Sequence, residues 1–393
     1  MKLSHVSVVS IAVFMMTCSA TRSDEMPSRA GASEEPERPI IRLGDAKAPL
    51  AIAFGSDGGK LVTCTRSTSV GVWNPADGRL LLRIADHADG LFPVGVAMSG
   101  DGRRIVTGGP AIYEEEGNLL RVTPRRSGSL VKLWDAESGR LIKSFSQGNT
   151  HYFSNVAVNR SASLIACADY MLNTILWDGS NGKVIASVDG PASCAISYGP
   201  CSTMFSADAT RFAAIAVNLA DERSHLPYHQ NTRTLYLCDL SDGRAFMIPP
   251  MPERGTEFGT VALSGDGKEV AVWRFGAPAG QELVTFDFKT GRIIAKLPAP
   301  GPDECSYLAY SPDNSTIALG KTTGKVSLLD RVTGVRIAEL TSGPGPIRAI
   351  AFKRGSVLVV SESSETKASN ELRAENRNAS LEVREHTIPP LRP

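Results

Sequence analysis

At 393 residues the chain has room for one large repeat domain or two to three ordinary domains. A hydrophobic content of 42% with 21% charged residues excludes wholesale disorder. Its 42 basic residues face 41 acidic ones, a net charge of +1, which argues against nucleic acid or an anionic membrane surface as the main partner.

The first twenty residues read as a signal peptide. Lys2 supplies a positive charge, Val6 to Met16 form an apolar run too short to span a bilayer, and the small residues Cys18, Ser19 and Ala20 follow. Cleavage after Ala20 makes Thr21 the mature N-terminus. The alternative is a lipoprotein signal with Cys18 lipidated, against which Met15-Met16-Thr17 is a poor approach sequence. Residues 21–37 are rich in Ser, Glu, Pro and Arg, bury nothing, and read as a disordered linker. No later apolar run is long enough to span a membrane.

From residue 38 onward the chain repeats itself. Short apolar strands close on Phe54, Met98, Val158, Phe205, Leu263, Tyr310 and Phe352, and Ala precedes all of these except Phe205. A small residue there suits the innermost strand of a wedge-shaped blade, where space tapers toward an axis. Turn signals follow, such as Gly100-Asp101-Gly102 and Gly265-Asp266-Gly267, and lead into second strands such as Leu61-Val62. Third strands end on Trp73, Trp134, Trp177, Cys238, Phe286 and Leu329, each with Gly five positions later. Gly makes up 36 of 393 residues, so six matches in six arise by chance about once in a million trials. Asp follows the third-strand residue in all but the first case, which has Asn74. The pattern is that of a tight hairpin whose Gly takes positive φ, with fourth strands such as Leu141-Ile142 resuming beyond it.

Four antiparallel strands recurring every 42 to 48 residues or so make a β-propeller blade. Val131-Lys132-Leu133-Trp134-Asp135 and Ile175-Leu176-Trp177-Asp178 resemble the WD-repeat signature, and the pattern covers nearly all of residues 38–388. The chain resembles a divergent WD-repeat-like family. The Gly-His pair that opens many such repeats is absent, and no Asp holds a regular place between second and third strands, so the family's buried His–Ser–Asp–Trp network is not expected. There are seven inner strands but only six complete outer units. The segment Ile40-Ile41-Arg42-Leu43 supplies the missing outer strand, so the expected fold is an all-β, seven-bladed propeller of four-stranded blades closed by its N-terminal strand. Residues 389–393 form a short tail.

Insertions mark one face. Asp57 to Trp73 and Asp313 to Leu329 each span 16 residues, but Asp101 to Trp134 spans 33 and Asp208 to Cys238 spans 30. Blade seven carries a further polar stretch, Glu362 to Ser380. All three fall between second and third strands, on the side of the blade-to-blade connections, where repeat proteins often bind. Candidate binding residues there are Tyr113, Glu115 and Arg125 in blade two, and His225, Tyr228 and His229 in blade four. The His225–His229 spacing suggests a metal pair, but Pro227 breaks the helix such a pair needs and no third ligand is identifiable. His151, Glu257, Glu304 and Arg348 sit at connections near the mouth of the central channel, where the enzymes among propellers work.

Cys64, Cys167 and Cys238 fall at strand positions expected to be buried, and Cys305 is read the same way. Cys194 and Cys201 flank Tyr198-Gly199-Pro200 in the connection from blade three to blade four, and a local disulfide between them is expected in an exported chain. These features point to a secreted or periplasmic, monomeric binding scaffold for a protein, peptide or glycan, with no cofactor and no nucleic acid. The alternative is a lactonase-like propeller hydrolase acting at the channel mouth.

Overall fold

The computed structural model describes residues 41–43, 49–55, 58–65, 69–85, 93, 95–109, 111–116, 119–124, 130–146, 153–191, 194–196, 203–218, 233–249, 257–275, 280–298, 304–363 and 381–388. Side chains are described for all of these except 49, 50, 65, 111–116, 119–124, 130, 153, 154, 195 and 218. The expected signal peptide and the whole expected linker lie outside them.

The strands run in chain order from β1 (Ile41–Leu43). Blade one is β2 (Pro49–Phe54), β3 (Leu61–Thr65), β4 (Val70–Trp73) and β5 (Leu80–Ile84). Blade two opens with β6 (Gly95–Met98) and β7 (Arg104–Gly109), interposes a hairpin of β8 (Ala111–Glu116) and β9 (Leu119–Pro124), and ends with β10 (Leu130–Asp135) and β11 (Leu141–Ser146). Blade three is β12 (Phe153–Val158), β13 (Leu164–Asp169), β14 (Thr174–Asp178) and β15 (Val184–Val188). Blade four has a split inner strand, β16 (Cys194–Ile196) and β17 (Thr203–Phe205), then β18 (Arg211–Asn218), β19 (Arg233–Asp239) and β20 (Arg244–Ile248). Blade five is β21 (Glu257–Leu263), β22 (Glu269–Phe275), β23 (Glu282–Asp287) and β24 (Ile293–Pro298). Blade six is β25 (Cys305–Tyr310), β26 (Thr316–Lys321), β27 (Lys325–Asp330) and β28 (Arg336–Thr341). Blade seven is β29 (Ile347–Lys353), β30 (Ser356–Glu362) and β31 (Leu381–Thr387).

Blade seven takes its fourth strand from the other end of the chain. β1 pairs antiparallel with β31, Ile41 opposite Val383 and Leu43 opposite Leu381. The inner strands of successive blades touch around the ring, and β29 meets β2 to close it. The fold is the expected seven-bladed propeller.

Seven buried clusters lie between adjacent blades, one at each of the seven blade interfaces. The cluster joining blade seven to blade one holds Leu43, Trp73, Leu358, Leu381 and Val383. Side chains alternate across a strand, so consecutive residues of an inner strand serve opposite interfaces. Phe54 packs toward blade seven and Ala53 toward blade two, while Leu263 faces blade four and Ala262 faces blade six. The third-strand residues Trp134 and Trp177 likewise face the preceding blade.

All six glycines of the third-to-fourth-strand turns have φ between 66° and 82°. In most of them the position is also crowded. A Cβ at Gly78 would lie 2.6 Å from Ile41 Cγ2 and 2.9 Å from the Arg42 carbonyl oxygen, and one at Gly139 would lie 3.2 Å from Leu82. Each of these turns except the one at Gly243 is laid against the outer strand of the blade before it.

Blade four departs from the sequence expectation. Cys194 belongs to the inner strand rather than to the connection before it. Ile196 pairs with Ala216 and Thr203 with Ala214, so β16 and β17 lie in line along β18 with residues 197–202 inserted between them. Register against β18, a long-range pairing, decides this.

Candidate functional site

The antiparallel order gives every sheet two unlike ends. One carries the first-to-second and third-to-fourth turns. The other carries the second-to-third connections and the links between blades. The long insertions of blades two, four and seven all leave from this second, connection end.

In blade two the insertion is a folded hairpin, with Tyr113 opposite Val122 and Glu115 opposite Leu120. Sequence reading took it for a loop. The missed signal was the dipeptide Gly117-Asn118, a hairpin turn signal in the sequence between two runs that pair in register. Tyr113 and Glu115 are placed on β8, but their side chains are not described. Arg125, His151, His225, Tyr228 and His229 lie outside the described residues.

Of the residues expected at the channel mouth, Glu257, Glu304 and Arg348 are described, and two of them are held by ion pairs. Glu257 begins β21 and receives Arg233 of blade four, Nε to Oε2 3.5 Å, with both side chains about one-third exposed. The same guanidinium lies 5.9 Å from the Phe275 ring centroid. Arg348 on β29 donates from Nε to Glu362 Oε1 at 2.8 Å, joining the first two strands of blade seven. Glu304 is exposed just before β25, and its carbonyl accepts the Thr322 N–H at 3.0 Å. Arg233 and Glu362 were not singled out from the sequence, because a partner on another strand leaves no mark in local spacing.

Two more ionic groups lie nearby. Arg274 is buried at the end of β22 and pairs with Glu282 across the strand boundary. In blade six, buried Lys321 meets Glu339 at 3.4 Å, with Lys325 at 3.7 Å and Arg336 at 3.0 Å. Burial pushes the Glu339 carboxyl up, but Lys321, Arg336 and Lys325 outweigh it and hold the group below its ordinary range. Among the described residues these charges at the connection end are held in pairs or clusters of opposite sign. Among the described residues no three His, Cys, Asp or Glu side chains converge to hold a metal ion.

Cys64, Cys167, Cys238 and Cys305 are buried free thiols at the strand positions expected of them. Desolvation raises the Cys64 and Cys305 thiols to about 12, so neither is a nucleophile at neutral pH. Cys194 is also a buried free thiol at the head of β16. Its expected partner Cys201 lies outside the described residues.

Among the described residues no helix is long and apolar enough to cross a membrane. No protein-family model matches the chain, and no curated protein matches it, so the geometry alone carries the functional reading.

Proposed function

We propose that the protein is an exported scaffold, divergent from WD-repeat-like propellers, that binds a protein, peptide or glycan on its connection end. The observation that carries this is the placement of the insertions. A rigid ring holds the β8–β9 hairpin and the long links of blades four and seven on the same end of their sheets, while the opposite ends keep short turns. Pairing of Glu257 and Arg348 with Arg233 and Glu362 makes a polar, neutralised surface of the kind found at the rim of a recognition site. Kinship with WD-repeat-like chains is supported by two buried hydrogen bonds. The indole N–H of Trp73 donates to Thr63 Oγ1 at 2.9 Å, and that of Trp134 to Thr107 Oγ1 at 3.0 Å.

The test is to screen the mature chain on peptide and glycan arrays beside a variant shortened at 109–127 and 218–232. Loss of the captured ligand in the shortened variant is expected. A ligand held equally by both chains would overturn the assignment of the face. For export, N-terminal sequencing is expected to begin at Thr21, and a retained Met1 or a lipid on Cys18 would contradict it.

A further inference from the structure

The rim of the ring is made of seven outer strands, each ending its sheet as an edge with no further strand paired to it among the described residues. Such edges join other chains unless charge, proline or a covering element blunts them. Six of the seven carry a charge within their bounds: Arg42 in β1, Arg83 in β5, Lys143 in β11, Arg244 in β20, Lys296 in β24 and Glu339 in β28. The seventh, β15, reads Val184-Ile185-Ala186-Ser187-Val188 and has neither charge nor proline. Ile185 is 54% exposed, more than any other large apolar side chain within a described strand.

A second observation concerns cover. The turns at Gly78, Gly139, Gly182, Gly291 and Gly334 each lie against the outer strand of the preceding blade. Gly243, in the turn that follows β15 around the ring, has nothing within 4 Å of a Cβ built on it. Ala186 and Val188 pack inward against blade four, but the Gly243 position does not reach the most apolar edge, whose Val184, Ile185 and Ser187 stay exposed.

The third observation says what fits there. Exposed Lys183 and Asp189 bracket β15. Two antiparallel copies centred on Ala186 place Val184 opposite the partner's Val188 and Ile185 opposite the partner's Ser187. Lys183 then meets the partner's Asp189 at both ends. Opposite charges facing one another across strands favour this register, and the two-fold axis closes the assembly at two chains.

We propose that β15 is a homodimerisation edge, joining two copies of the chain rim to rim in one continuous antiparallel sheet. This departs from the monomeric expectation above. The paired strand is about 17 Å long, well below a standard protein interface, so the dimer is weak and concentration-dependent.

Sedimentation equilibrium of the mature chain over a wide concentration range tests it. Wild type is expected to show a reversible monomer–dimer equilibrium. Ile185→Lys should be monomeric with an unchanged melting temperature, since the side chain faces water. Lys183→Asp sets Asp against Asp at both ends and should weaken the dimer about tenfold. Lys183→Asp combined with Asp189→Lys swaps the charges and should restore wild-type affinity. A wild-type chain that stays monomeric leaves the edge to water or to a foreign strand and overturns the proposal. So does a dimer indifferent to Ile185→Lys, or a double swap that fails to restore association.

Discussion

At the turn end of blades two, three, five and six, a carboxylate accepts a backbone N–H two or three residues ahead. Asp135 receives Ser138 at 2.9 Å, Asp178 receives Ser180 at 2.8 Å, Asp287 receives Thr290 at 2.7 Å and Asp330 receives Thr333 at 2.8 Å. A glycine with positive φ then closes each hairpin. At the connection end the same blades share little. Blade two extrudes a hairpin, blade three closes tightly with Asn173 N–H on Asp169 Oδ1 at 2.9 Å, and blade five buries an Arg274–Glu282 pair. One end is built from a local rule repeated around the ring. The other differs from blade to blade.

The largest expected effect breaks the ring itself. Leu43 of β1 is fully buried in the cluster between blades seven and one. Removing residues 38–44 exposes that cluster and the edge of β31, and should lower the melting temperature by on the order of 10 °C. Shortening the blade-four connection at 218–232 should leave it nearly unchanged. Equal losses from the two deletions would mean that the connection end is structural after all.

Within the turn end, Gly78 and Gly243 share a φ of 72° but not a setting. Gly78→Ala meets both the left-handed backbone cost and the contact with Ile41 and the Arg42 carbonyl, together about 2–4 kcal/mol. Gly243→Ala meets only the first, about 1 kcal/mol. Chemical denaturation of the two variants separates backbone strain from packing, and indistinguishable midpoints would remove the claim that these turns dock on the preceding blade.

The carboxylates of the turn end should also set the acid limit. Hydrogen bonds hold Asp135, Asp178, Asp287, Asp313 and Asp330 below the ordinary Asp range, despite the opposing pull of desolvation. A folded-state value lowered in this way contributes stability that is present above the unfolded Asp value and is lost as pH falls through the folded one. The melting temperature should be flat from neutrality to about pH 5 and fall below about pH 4. In blade one Asn74 already caps its turn, accepting the Ala76 N–H at 3.0 Å without charge. Asp135→Asn should therefore keep the cap while flattening the acid slope, and a slope indifferent to that change would assign acid unfolding to other groups.

The contrast between the ends also explains what could be read in the sequence. Turn positions follow from backbone rules acting over five or six residues, so Trp134 and Gly139 announce themselves. Blade number and ring closure follow from counting how often that local pattern recurs along the chain. The β8–β9 hairpin was within reach through Gly117-Asn118, but the charged run before it reads equally well as solvated loop. The split inner strand of blade four was not legible, because residues 197–202 interrupt its pattern and only pairing with β18 restores it. Nor was the Arg233–Glu257 pair, which joins two blades and exists only once the ring brings β19 beside β21.

The smallest expected effect concerns those ion pairs. Arg348 and Glu362 are about 34% and 19% exposed, and their Coulomb attraction is screened by water and offset by the entropy of fixing two long side chains. Arg348→Ala should cost no more than about 1 kcal/mol and less at high salt. If calorimetry agrees while array binding falls, the pair orients groups for a ligand. A loss of several kcal/mol would instead show that the connection end carries the ring as the turn end does, because only a pair cut off from water leaves so large a penalty when one partner is removed.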